Sequence, residues 1–236
     1  VTGSGTSWMG TTVVHADDVE GVVSFSAVGV SDALGNSATL TEITEGSVSV
    51  DQTVTVSAVS IGSNSGVGGV SSEVTTGHIV TLSLDFAEPV TVGSVTTSLG
   101  GDVTLADVSE GAGTSWTALV TVLPTDADGV VSFSAVGIDA LGNSLTLTAA
   151  TDGSTVTVDQ TVSVSAVVIG SNSGVGEVTT DHIVWLTLDF SESVTVPTVA
   201  FSSGGTPMTN AVTVTGSGTS WMGITVVHAD DVEGVV

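Results

Sequence analysis

Three turns in this 236-residue chain have the form acid-x-acid-Gly: Asp18-Val19-Glu20-Gly21, Asp126-Ala127-Asp128-Gly129 and Asp231-Val232-Glu233-Gly234. Carboxylates on alternate residues of a tight turn fall on one side, and hard oxygen ligands so placed suit Ca²⁺. The full spacing of an EF-hand loop is missing, so each turn offers only part of a coordination sphere. Further oxygens come from Asp139 and Asp32 in two "DALGN" hairpins, and from Asp159 and Asp51 in two "VDQ" stretches. The candidate cation ligands are therefore Asp18, Glu20, Asp126, Asp128, Asp139 and Asp159. The same residues also read as turn formers, since Asp and Gly make turns and Asn143 tolerates the left-handed conformation.

Other chemistry finds little support. Catalysis needs convergent acids, bases or nucleophiles. The four His fall in two repeated sets, His15 with His228 and His78 with His182, and none lies in a Ser-His-Asp or His-x-x-His arrangement. The carboxylate pairs that could hydrolyse glycosides all fall in repeated turns. No enzyme is expected.

The charge narrows the partners. There are 25 Asp and Glu and no Lys or Arg. Such a surface rejects nucleic acid and anionic membranes. Its carboxylates must rely on water, backbone N–H groups, the His or bound cations, which strengthens the case for calcium. No run of 18 apolar residues suggests a membrane span, and there is no Cys for a disulfide or thiolate site. The chain opens with neither Met nor a signal peptide, which reads as a mature chain or a fragment.

The elements that must position these acids are repeated. Residues 1–23 and 214–236 agree at 22 of 23 positions, differing only at Thr11 and Ile224. "GTSW" recurs at 5–8, 113–116 and 218–221, "VDQTV" at 50–54 and 158–162, and "IGSNSGVG" at 61–68 and 169–176, all spaced by 104 to 108 residues. That is a domain-sized period, too long for a solenoid coil. Within one period, "HIVTLSLDF" and similar runs alternate apolar and polar residues, and Val and Thr favour strands. About seven strands are expected, near 54–62, 78–86, 89–95, 101–107, 115–123, 130–138 and 145–158, with Gly-, Asn- and Asp-rich turns between them. The fold class is all-β, a series of immunoglobulin-like sandwiches. Residues 54–160 form one complete domain, 1–53 the C-terminal part of another and 161–236 the N-terminal part of a third. Trp116 is the expected central aromatic of the core, with Phe86 and Phe133 near it. Trp185 stands where the aligned residue is Thr81, on the polar face of its strand, and is a candidate assembly contact.

"HIVTLSLDFAEPVTV", "GTSWTALVTVLPTDADGVVSFSAVGIDALGNS" and "TDGSTVTVDQT" resemble the tandem bacterial immunoglobulin-like domains of giant cell-surface adhesins and extracellular fibre proteins. The shared features are the "F-x-E-x-V" strand end, the "D-x-x-G-N" hairpin and the Asp-bearing linker after "TDGS-x-V". This chain lacks the family's Ala-Pro in that linker, and its Lys. The resemblance implies an extracellular or cell-surface location and a structural role as fibre, stalk or adhesin shaft. Partners would be neighbouring copies of the repeat. The alternative is a module that binds a glycan or a receptor, for which an unrepeated loop rich in exposed aromatics would be expected.

Overall fold

The computed structural model describes residues 1–66 and 71–236, and all regular structure among them is strand. Two compact units, Val1–Gln160 and Thr161–Val236, are considered separately.

In the first unit, residues 1–53 form short two-stranded pieces. β1 (Thr2–Ser4) pairs with β2 (Ser7–Met9), β3 (Gly21–Val22) with β6 (Ser49–Val50), and β4 (Ala27–Ser31) with β5 (Ser37–Leu40). Almost every side chain in this segment is exposed.

Residues 54–160 fold as a sandwich. One sheet is antiparallel, in the order β11 (Thr104–Asp107), β12 (Ser115–Thr121), β9 (Ile79–Phe86), β7 (Val56–Ser63). Facing it are β10 (Val90–Thr97), β14 (Phe133–Asp139) and β15 (Ser144–Leu147), and a smaller sheet of β13 (Gly129–Val130), β16 (Thr155–Val158) and β8 (Ser71–Val74). β16 and β8 run parallel. Period-2 alternation sets the layers: Val80, Leu82, Leu84 and Phe86 of β9 point inward with Val59 and Ile61 of β7 and Ala118 and Val120 of β12. They meet Val90, Val92, Phe133, Ala135, Val156 and Val158 from the other layer.

Three details differ from the sequence expectation. β8 is an added strand, too short for alternation to show. The run at 130–138 divides into β13 and β14, and the run at 145–158 into β15 and β16, because each crosses from one sheet to another. The core centre is aliphatic: Leu84, Val59, Val80, Val122, Val156 and Val158 are the largest fully buried side chains there, and Trp116 is only partly buried at the margin. Its indole N–H explains the placement. It donates to the carbonyls of Val90 (3.0 Å) and Gly113 (3.2 Å), which a central position would not offer.

In the second unit, one antiparallel sheet runs β17 (Val164–Ser171), β18 (Ile183–Phe190), β22 (Ser220–Val226), β21 (Thr213–Ser217), with a small hairpin of β19 (Ser202–Ser203) and β20 (Thr206–Pro207). It repeats the sheet of β7, β9, β12 and β11 strand for strand. Residues 194–201, which align with β10, form no strand.

Candidate cation site and the acidic turns around it

The acid-x-acid-Gly turns are held by backbone hydrogen bonds. Asp126 accepts from the N–H of Leu123 and of Gly100, both at 2.8 Å. Asp128 points elsewhere and accepts from the N–H of Gln160 at 2.7 Å. The Gln160 side chain then donates to the carbonyls of Leu123 (3.1 Å) and Asp126 (2.7 Å) and accepts from the Thr76 hydroxyl. The N-terminal copy is built the same way: Asp18 accepts from His15 N–H (2.7 Å), Glu20 from Gln52 N–H (2.9 Å), and Gln52 donates to the carbonyls of His15 and Asp18. Asp231 accepts from His228 N–H and Thr209 N–H, both at 2.8 Å. These carboxylates are therefore turned toward the chain's own amides. The two landmarks "D-x-[DE]-G" and "V-D-Q" recur together because the Gln of one locks the turn of the other.

Asp139 behaves differently. It is buried at the end of β14, where one carboxylate oxygen accepts from the N–H groups of Leu141 (2.8 Å) and Asn143 (2.9 Å) and the other from the Asn143 side chain (2.7 Å). Burial raises its pKa, but the hydrogen bonds from Asn143, Leu141 and Gly142 outweigh it and hold the group below the usual carboxylate range. Asp32 makes the same set in its own hairpin and is likewise lowered, first by the Asn36 side chain.

Around Asp139 the fold gathers two more acids. Asp51, Glu88 and Asp139 each bring one carboxylate oxygen within 4.8 Å of the other two, the one such triad among the described residues. The Asn143 side chain also donates to the Asp51 carbonyl at 3.3 Å, and Glu88 accepts from Thr55 N–H at 2.6 Å. Oxygens that share a calcium ion at about 2.4 Å lie at most about twice that apart, so the triad fits. Lone pairs remain on the Asp139 oxygen that accepts only from the Asn143 side chain and on the Glu88 oxygen that accepts from Thr55 N–H. The site brings Asp51 of the 1–53 segment against Glu88 and Asp139 of the sandwich, all within the first unit. Asp139 and Asp51 were readable as acids in repeated motifs. Glu88 was missed as a ligand, although the repeated Asp-Phe-x-Glu at 85–88 and 189–192 carried the signal; its copy Glu192 makes the matching bond to Ser163 N–H (2.9 Å).

The remaining candidates are placed as follows. Asp159 lines a shallow depression with Glu73, Val74 and His78, and its N–H donates to Val74 O at 2.9 Å. His78 and His182 each close a Thr-x-x-His turn, with Nδ1 at 3.0 Å from the carbonyl of Thr75 and of Thr179. His228 lies 3.3 Å from Asp230. Trp185 is half-buried: its indole lies over Gly170 of β17, so close that a Cβ there would come within 2.8 Å of the ring. Its register partner on the other side is Ile224.

No family model matches the chain, and no curated protein matches it. Among solved structures, the tandem Ig domains of titin match at 12% identity over 72% of this chain and 83% of that one, with a TM-score of 0.23. A marsupial T cell receptor matches at 12% identity over 78% of this chain and 90% of that one, with a TM-score of 0.30. The chain's own strand order and core make it an all-β tandem of immunoglobulin-like sandwich units.

Proposed function

We propose that this chain is a stretch of a structural repeat array in an extracellular fibre, stalk or adhesin shaft at a cell surface. In this reading 54–160 is a complete domain, 1–53 the end of the preceding one and 161–236 the start of the next. The observation that carries it is the copying of structure along with sequence. The acidic turns, the Thr-x-x-His turns, the "DALGN" hairpin and the Trp-to-Gly carbonyl bond each recur with the same partners. A catalytic centre has no reason to be copied once per domain, whereas a rod needs identical units. The reading is non-enzymatic, and the partners are neighbouring copies of the repeat.

Calcium belongs to the same proposal. Asp51, Glu88 and Asp139 lie where the 1–53 segment meets the 54–160 sandwich, so an ion held there would tie one repeat to the next and limit bending. By the repeat, every junction would carry the same three acids. The test is calorimetry and electron microscopy of the native material, with and without chelator at fixed ionic strength. Calcium is expected to raise the melting temperature and straighten the rod, and Glu88→Gln with Asp139→Asn to abolish both effects. Unchanged melting and contour after exhaustive chelation would leave only diffuse screening of charge.

Trp185 is the proposed contact between neighbouring chains once charge is screened. Its outer-face position and half-exposed ring support that role, and the covered Gly170 keeps the ring in one orientation.

A further inference from the structure

The outer faces of the two four-stranded sheets differ in one direction. Side chains alternate between the faces of a sheet, and partners in register share a face. On the outer face of the second unit, Val168 stands for Ser60, Trp185 for Thr81, Met222 for Thr117 and Val226 for Thr121. Ile183 and Ile224 stand for Ile79 and Leu119 and stay apolar. All four changes run from polar to apolar. On the inner face Ala118 gives way to Gly223, and Val120 to Thr225, which is buried with its hydroxyl on the Asn210 carbonyl at 3.3 Å. The apolar gain is therefore confined to the outside.

The six residues form one patch. Across β18 and β22, Ile183 pairs with Val226, Trp185 with Ile224 and Thr187 with Met222. Val168 of β17 pairs with Thr187 from the other side, next to Gly170 opposite Trp185. Val168 is 54% exposed, Ile183 and Met222 38% and Val226 37%. The strands that complete a sandwich pack on its inner face, so this outer face stays open in a longer chain. The 54–160 domain, which has both layers, shows it: Ile79 and Leu119 on the same face are 36% and 39% exposed.

We propose that this sheet face docks on the same face of a second chain, pairing arrays side by side through alternate domains, a pairing that rests on the reading of the chain as an array with Trp185 as a contact. Charge selects the occupant. The chain carries 25 acids and no Lys or Arg. Among the described residues, the outer-face positions of these four strands hold one acid, Asp189 at the edge, and its carboxylate accepts from the Ser220 hydroxyl. Elsewhere two copies meet acid to acid; here they meet without that repulsion. A cationic partner would be drawn to the acidic turns and away from this face. Sheets stack face to face about 10 Å apart, a spacing at which the side chains of both faces interdigitate.

Area sets the strength. A patch of three strands and seven residues spans roughly 14 by 24 Å. Two such faces bury on the order of 1,000 Å², below the roughly 1,200–2,000 Å² of a stable complex, so one contact is weak. The near-identity of 1–23 and 214–236, with Met9 and Val13 in the places of Met222 and Val226, puts the apolar type in the domains on both sides of 54–160. Contacts repeated along an array act together, so two arrays would hold each other far more tightly than two single domains. Each contact uses the same patch on both partners, so it is isologous and closes at two chains.

The test uses the 236-residue chain in EDTA, to exclude calcium, with about 0.5 M NaCl to screen the charge. Sedimentation at rising concentration is expected to give a dimer of the 23.1 kDa chain. Trp185→Thr, and separately Val168→Ser with Met222→Thr and Val226→Thr, should each lose the dimer; both install residues that 54–160 already carries at those positions. Val167→Ser, on the inner face, should keep it. Oxidation by dilute peroxide gives a readout without substitution: Met222 should react more slowly as dimer forms, while Met9, on the β1–β2 hairpin, should not change. Loss with Trp185→Thr but not with the triple variant would keep Trp185 as a contact and overturn the pairing of sheet faces. A chain monomeric up to its solubility limit, dimers indifferent to both outer-face variants, loss with Val167→Ser, or Met222 equally reactive in monomer and dimer would each overturn the proposal. Native material that shows no regular repeat by microscopy would count against the array instead, whatever the sedimentation gives.

Discussion

The side chain of Gln160 shows how a chain without Lys or Arg keeps its turns rigid. Its amide accepts from Thr76 and donates to two carbonyls, and its N–H is capped by Asp128, so one residue ties three loops. Replacing it with Ala leaves the carbonyls of Leu123 and Asp126 without that donor. Gln160→Ala is expected to lower stability by about 1–3 kcal/mol, read from a shift in urea midpoint at unchanged slope. Trp185 is a second case. It fills the space left by Gly170 and pairs with Ile224, the one residue at which the two 23-residue copies differ. In the central domain the aligned Thr81 faces Gly62, which has nothing within 4 Å of where a Cβ would stand. Trp185→Thr should cost about 0.2–1 kcal/mol of cross-strand packing. If Trp185 is also an assembly contact, filaments grown in salt should weaken; equal growth with the ring still accessible would make it a local cover for Gly170 alone.

Strands and hairpins carry the next level. Leu84 is fully buried in the middle of β9, between β7 and β12, and close packing leaves no room to relax around a lost side chain. Leu84→Ala is expected to destabilise the domain by about 2–5 kcal/mol by calorimetry or denaturant titration. The "DALGN" hairpin couples the ends of β14 and β15 to pH. Asp139 and Asp32 have folded pKa values below the unfolded carboxylate value of about 3.9. Their contribution is fully present above that value and is lost as pH falls through the folded pKa. Stability should therefore fall as pH drops below about 4, and Asp139→Asn should flatten that part of the pH profile. A profile unchanged by the substitution would place the acid sensitivity in other carboxylates.

At the scale of the whole chain, the net charge of −25 governs behaviour more than any single site. Like charges repel neighbouring copies, and ordinary salt shortens that repulsion to about 8–10 Å. The strand edges have no Lys to block unwanted pairing, a device many sheet proteins use. Association should rise with monovalent salt, and rise further with calcium at matched ionic strength if the Asp51, Glu88 and Asp139 cluster binds it. Light scattering across both titrations separates the two: coincident curves would mean that screening alone acts.

The all-β class, the domain-sized repeat and the inward-facing strand residues could be read from the sequence, because strand alternation is local and a repeat needs only comparison of the chain with itself. The same locality explains why Asp139 could be named as part of a turn. Its meeting with Asp51 and Glu88 could not, since those acids lie 88 and 51 positions away and only the sandwich brings them together. Local reading also favoured Asp126 and Asp128 as a pair, whereas folding turned each to a different amide, one in its own turn and one at Gln160. Trp116 went to the core margin for a related reason: its N–H needed carbonyl partners that only the packed β10 and the turn at Gly113 supply. Sequence periodicity decides which face of a strand is apolar. Which groups at its ends meet is decided by how sheets stack and where distant turns land, and that is a property of the tertiary structure alone.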